Sequence, residues 1–139
     1  MGLLGGKNKF IDKGAISEIR VIARFIQCGY SVFKPVSVYS RSDLVIEDAE
    51  GRFWRVQVKT ARWNIDKTGF NFNVVSNPGN RGRRGYKGEC DYFAVYFEPT
   101  DGVYLVPVDE VSDYNCTLRL EPTPVKKRGD TRMAYDYEL

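Results

Sequence analysis

The spacing of apolar and polar positions changes several times along the chain, and each change marks a predicted element. A Gly- and Lys-rich opening, residues 1–12, reads as a loose arm. Ala15, Ile19, Ile22, Ala23 and Ile26 then recur as one stripe at helical spacing. Asp12 is placed to cap this helix and Gly29 to follow its end, so the pattern predicts a helix over Lys13 to Cys28. Period two takes over next. The β-branched and aromatic run Tyr30–Lys34, closed by Pro35, predicts a strand. Asp43–Glu47 and Trp54–Lys59 alternate around the turn-rich Asp48–Gly51 and predict a hairpin. The alternation puts Leu44, Ile46, Trp54, Val56 and Val58 on an apolar face. Asp43, Glu47, Arg55, Gln57 and Lys59 point the other way.

Further strands are predicted at Phe70–Val75 and Thr117–Leu120. Tyr92–Phe97 and Val103–Pro107 suit a second hairpin turning at Pro99–Gly102, and Val108–Asp113 suits one helical turn. Residues 77–88 form a basic loop, and residues 121–139 read as a polar tail. An early helix followed by strands points to an α/β fold with a mixed β-sheet. There is no internal repeat and no linker, and 139 residues suit a single domain over 1–139.

Composition narrows the chemistry. The 21 Lys+Arg and 18 Asp+Glu leave a formal charge of +3, too balanced for a polycation, so a nucleic-acid surface has to be local. The chain has no histidine. That removes Ser-His-Asp and Cys-His catalysis, His-ligated zinc and imidazole general bases. Cys28, Cys90 and Cys116 lie far apart with no CxxC spacing, which argues against a disulfide framework or zinc ribbon. They read as small buried side chains in a reducing cytoplasm. No apolar run approaches the roughly 18 residues of a membrane span, and the N-terminus lacks a secretory stretch. The expectation is a soluble, cytoplasmic protein with no membrane association.

Four polar residues are placed for chemistry. Glu18 falls between Ile22 and Phe25 on the helical wheel, at the edge facing the sheet. Asp43 opens one hairpin strand, and Gln57 and Lys59 lie near the end of its partner, so antiparallel pairing makes Asp43 and Lys59 neighbours. Gln57 and Lys59 are spaced about 6.6–6.8 Å along one face. The Glu18 and Asp43 carboxylates, the Gln57 amide oxygen and the backbone carbonyl of Val58 make an all-oxygen set suited to Mg²⁺, with Mn²⁺ substituting. The Lys59 ammonium is placed to orient or deprotonate a water and offset phosphorane charge. The chemistry that fits is metal-assisted phosphodiester hydrolysis. The same alternation marks the wet face of any hairpin, so spacing alone leaves both readings open. Arg62 and Trp63, just past the lysine, suit contacts to DNA near the scissile phosphate, with capping of the sheet the other reading of Trp63. Arg81, Arg83, Arg84 and Lys87, with Tyr86, fill the loop that has no acidic residue, suiting either DNA phosphate contacts or a solvent loop. Lys126, Lys127 and Arg128 read as a solvated tail.

Lys13-Gly14 with Glu18, Ser42-Asp43, and Val56-Gln-Val-Lys-Thr60 resemble the PD-(D/E)xK nuclease superfamily. The similarity is to its group I intron-encoded homing endonuclease branch and, more distantly, to archaeal Holliday-junction resolvases. It extends through Glu89–Tyr96 and Val103–Asp109, covering residues 9–120. The resemblance implies a restriction-endonuclease-like αβββαβ core whose N-terminal helix carries a catalytic Glu. It also implies Mg²⁺-dependent DNA cleavage leaving 5′-phosphates. By motif, Glu18 matches the helix glutamate, Asp43 the metal aspartate, Gln57 the variable acid and Lys59 the motif lysine. Ser42 stands at the motif proline, and Gln57 removes one negative charge, as in the Gln-x-Lys pattern of the intron-encoded branch. The implied partners are DNA and further copies of the chain, as a homodimer or homotetramer, because one site cuts one strand. Alternatives are a resolvase, a restriction- or repair-type nuclease on the same core, and an inactive DNA-binding module.

Overall fold

The computed structural model describes residues 2–76, 84–111, 115–122 and 132–139, with the Arg84 side chain excepted. Residues 2–12 are exposed and lie in no helix or strand. The α-helix among the described residues is α1 (Lys13–Gln27). Its cap is as predicted: the Asp12 carboxylate accepts the Ala15 N–H at 3.0 Å, and Gly29 closes the far end at φ +91°.

Eleven strands follow among the described residues: β1 (Ser31–Phe33), β2 (Leu44–Glu47), β3 (Phe53–Thr60), β4 (Arg62–Trp63), β5 (Gly69–Asn73), β6 (Val75–Ser76), β7 (Arg84–Gly85), β8 (Tyr92–Phe97), β9 (Gly102–Pro107), β10 (Asn115–Arg119) and β11 (Arg132–Met133). The central sheet runs β1-β2-β3-β8-β9. It is mixed: β3 and β8 are parallel, and the other neighbours are antiparallel. A second sheet runs β11-β10-β5-β4, and β6 and β7 form a small ribbon.

The β2–β3 hairpin turns on Asp48. One of its carboxylate oxygens accepts the Glu50 and Arg52 N–H groups, at 2.9 and 3.0 Å, and the other accepts the Trp54 indole N–H at 2.8 Å. The Trp54 bond first, then the Arg52 N–H, hold the Asp48 carboxyl below the usual carboxylate range. Gly51 supplies the positive φ of +78° that the turn requires.

Parallel pairing of β3 with β8 demands a crossover, usually a helix. The implied αβββαβ core has one there. In this chain, β4, β5, β6 and β7 occupy the described part of the crossover. The reason is readable in β5, where Phe70 and Phe72 alternate with asparagines at the period of a strand.

The central sheet is covered on both faces. On one, Val21 and Phe25 of α1 pack on Leu44, Ile46, Val56 and Ala94. Trp54 and Val58 join this cluster, so the hairpin's apolar face is the one alternation assigned. On the other, Phe93, Val95 and Phe97 meet Phe70, Phe72 and Leu118 of the second sheet. Phe70 and Phe97 stack with centroids 4.2 Å apart.

Three expectations need correction. The buried face of α1 is Ser17, Val21 and Phe25, with Ile22 partly buried. Ile19 and Ile26 of the expected stripe are 66% and 59% exposed, and Ala15 and Ala23 are exposed too. The helix has apolar residues on two opposite sides, and Ser17 belongs inside because its hydroxyl is hydrogen-bonded to that of Thr60 at 2.6 Å. The expected polar tail ends as part of the fold. Ala134 is buried, Leu105 N–H donates to the Tyr137 carbonyl at 2.8 Å, and Leu139 N–H donates to Val103 at 2.9 Å. These backbone groups extend the β9 edge, so the segment is held by hydrogen bonds that its polar composition hides. Cys28 is exposed rather than buried; Cys90 and Cys116 are buried, and burial pushes both thiols up to about 11. Among the described residues no helix is long and apolar enough to cross a membrane.

Candidate active site

The antiparallel register Leu44↔Val56 sets Asp43 beside the last residues of β3. The Asp43 N–H donates to the Val56 carbonyl at 2.9 Å, and its carboxylate accepts the Val58 N–H at 2.9 Å. The side chain is thus fixed by the backbone of the neighbouring strand. Burial raises the Asp43 carboxyl above its ordinary range, against the Val58 N–H, which lowers it. The Glu18 charge adds to the rise, while Lys59 and Lys34 oppose it.

Lys59 is half-buried. Its ammonium lies 4.7 Å from the Tyr86 ring centroid, 5.9 Å from that of Phe93, and 3.5 Å from the Tyr86 hydroxyl. Burial lowers its pKa, Asp43 raises it and Arg41 lowers it, leaving the amine below the ordinary lysine range. Tyr86 is 5% exposed, packed edge-on against Phe93. Expected as a loop aromatic for DNA, it instead carries two cations, because the Arg41 guanidinium also sits 4.2 Å from its centroid. Arg41 is held in turn by an ion pair with Glu89 and by bonds to the Ser76 hydroxyl at 2.7 Å and the Gly85 carbonyl at 2.9 Å.

Glu18 reaches the cluster from α1 and forms an ion pair with Lys34 at 2.6 Å. Lys34 is pushed above its ordinary range by that bond and by the Glu18 charge. Gln57 is half-buried on the Lys59 side of β3, opposite Phe93 in the parallel register. The fold therefore brings Glu18, Asp43 and Lys59 into one electrostatically coupled group, with Gln57 beside Asp43 across the hairpin. Lys34, Arg41 and the role of Tyr86 escaped sequence reasoning, since each meets the group through a contact distant in the chain. Lys34 closing a strand just before Pro35 is the only local signal.

Of the residues expected to meet DNA, Arg62 and Lys87 are exposed. Arg84 pairs through its backbone with Ser76, and its side chain lies outside the described residues, as do Arg81, Arg83 and Lys126, Lys127 and Arg128. Among the described residues no three His, Cys, Asp or Glu side chains cluster as metal ligands. Two coupled carboxylates with an amide and a carbonyl still fit Mg²⁺, which needs only one or two carboxylates and keeps several waters.

Comparison with known proteins bears on the family and the fold. A family model described as PD-(D/E)XK endonuclease matches residues 9–139. Protein 5.3 of Escherichia phage T7 is 38% identical over 99 residues, covering 70% of this chain and 80% of that protein. Among solved structures, the chain is similar to a bacterial homing endonuclease, I-Ssp6803I, with a TM-score of 0.70 and 25% identity. That match covers 96% of this chain and 89% of the other.

Proposed function

The chain belongs to the PD-(D/E)XK endonuclease family, and from that membership we propose a DNA endonuclease that hydrolyses phosphodiester bonds to leave 5′-phosphates, in the manner of a homing endonuclease. The observation that carries this reading is the convergence of Glu18, Asp43 and Lys59, from one helix and two paired strands, on a single coupled cluster. Glu18 and Asp43, with the Gln57 amide oxygen and the Val58 carbonyl, would hold Mg²⁺, and Mn²⁺ would substitute. Such an ion supplies positive charge to the phosphoryl oxygens and a more acidic water. Lys59 does the rest of the polar work. Its amine, held over Tyr86 and kept below the ordinary lysine range, is suited to take a proton from the attacking water and then, as ammonium, to offset charge on the phosphorane.

Arg62, Arg81, Arg83, Arg84 and Lys87 contact the DNA backbone in this reading, giving affinity without sequence information. One such cluster cuts one strand, so duplex cleavage requires a homodimer or homotetramer. The protein works on DNA in the cytoplasm.

The test is incubation with Mg²⁺ or Mn²⁺ against labelled duplex, four-way junction and single-stranded DNA in parallel. Duplex cleavage to ends that ligate without added kinase supports the proposal. Cleavage of the junction alone would make the chain a structure-specific resolvase. Binding without cleavage of any substrate would make it an inactive DNA-binding module.

A further inference from the structure

Where β3 ends, a cleft of about 490 Å³ opens between the first two turns of α1, the β3–β4 junction and the turn after β8. Its wall includes Ser17 and Thr60, which are joined through their hydroxyls. Ser17 immediately precedes Glu18 and Thr60 immediately follows Lys59, so the cleft is built on the same two elements as the reactive cluster. Successive strand side chains point to opposite faces, so Thr60 opens on the α1 side of β3 and the cleft lies across that strand from the Lys59 amine.

The lining is unusual in charge. Lys13, Arg20 and Arg62 are all exposed at this cleft, and among the described residues none of the three forms a salt bridge. Its acidic member is Glu98. Between these cations lies an aromatic surface. Trp63 is 41% exposed and edge-on to Phe97, with centroids 4.9 Å apart, so part of its ring remains open to a ligand. The combination is local: a second cleft of about 410 Å³, lined by Tyr30, Asp48 and Glu50, carries carboxylates instead.

A bare anion would make no use of the aromatic wall, and an apolar ligand would leave three cations unanswered. A nucleotide uses both, its base against the π-surface and its phosphate on the guanidinium groups. The volume lies within the range of sites that hold one small molecule, roughly 300–1,000 Å³. We propose that this cleft seats one nucleotide of the bound DNA strand, with the phosphate on Arg20, Arg62 and Lys13 and the base against Trp63. The identity of the strand as substrate rests on the endonuclease reading; the binding chemistry does not.

The probe is deoxyadenosine 5′-monophosphate, without metal, read by tryptophan fluorescence in a Trp54→Phe background that leaves Trp63 as the reporter. Saturable quenching is expected, weakened by salt and reduced about tenfold in affinity by Arg20→Ala or Arg62→Ala, as loss of a charge-assisted contact requires. Deoxyadenosine and inorganic phosphate should each bind more weakly than the nucleotide. Quenching that is absent, or unchanged in both arginine variants, overturns the proposal. Equal binding of inorganic phosphate overturns the seating of the base. With duplex DNA as substrate, Arg20→Ala should raise KM while kcat holds; an unchanged KM overturns the link to the cleaved strand. A wild-type protein that cuts no DNA sinks the endonuclease reading, yet leaves the quenching result to decide the cleft.

Discussion

Two cation–carboxylate couples meet at the end of β3, and they are held in opposite ways. Glu18 and Lys34 grip each other at 2.6 Å, with the Lys34 side chain 61% exposed and that of Glu18 29%, so the pair opens to water on its lysine side. Asp43 and Lys59 are half-buried, and among the described residues neither forms a salt bridge. Asp43 is fixed by the Val58 N–H, and Lys59 rests over Tyr86. An exposed pair is satisfied by its partner and by water. A buried charge held by the scaffold remains available to a substrate, at a cost to folding that burial imposes. The contrast separates a couple that is already paired from one kept poised, and this difference is why the proposal gives the proton transfer to Lys59.

The comparison breaks most directly at Lys59. Lys59→Ala should lower kcat by about a thousandfold or more while DNA affinity holds and the protein stays folded, because the amine acts on water and phosphate. Cleavage within about tenfold of wild type, worth roughly 1.4 kcal/mol of barrier, would remove Lys59 from the mechanism.

Asp43→Asn should be equally inactive and should also lose Mn²⁺ binding by calorimetry, since Glu18 would then be the one carboxylate left. Its second effect runs the other way. A carboxyl whose folded pKa is raised supports folding below its unfolded pKa, and loses that support as pH rises through the folded pKa. At pH 7 the metal-free Asn variant should therefore melt above wild type, with the gap closing as pH falls toward about 4. A variant that melts lower across this range would mean that the Val58 contact outweighs the cost of burial.

Tyr86 tests what holds the poised lysine. Tyr86→Phe keeps the ring and drops the hydroxyl, whereas Tyr86→Leu removes the π-face from both Lys59 and Arg41. The Phe variant should cut within about threefold of wild type, and the Leu variant should lose about tenfold in kcat at unchanged KM, in line with a partly desolvated cation–π contact. Equal activity of the two variants would make the ring mere packing.

Legibility followed the range of the interaction. The β2–β3 hairpin was readable because its alternation and its Asp48 turn are local, and register alone then brought Asp43 to Val58. The buried face of α1 was not, because isoleucines on the outer side mimic a core stripe and a serine on the inner side does not look like core. The Glu18–Lys34 pair, the Arg41–Tyr86 contact and the Leu139–Val103 bond join distant segments with no periodic trace. The strand-built crossover was half legible: the strand at Phe70 was predicted, but its place between β3 and β8 depends on a parallel pairing that no local pattern announces.

The smallest expected effect lies at Lys34, and it decides whether the contrast between the two couples is real. Lys34→Met removes an exposed ammonium from Glu18, leaving a stem that still lies along the surface. If the pair is only neutralised surface charge, the melting temperature should barely move, since such pairs contribute little in water. Glu18 would then be relieved of a competing cation, so Mn²⁺ should bind somewhat tighter, by about twofold to threefold, and cleavage should stay within about twofold of wild type. The two readings diverge sharply in kinetics. A loss of kcat approaching that of Lys59→Ala would mean that Lys34 leaves Glu18 when DNA arrives and meets the phosphate itself. The exposed couple would then be a second poised one, and exposure would not distinguish structural charge from reactive charge at this site.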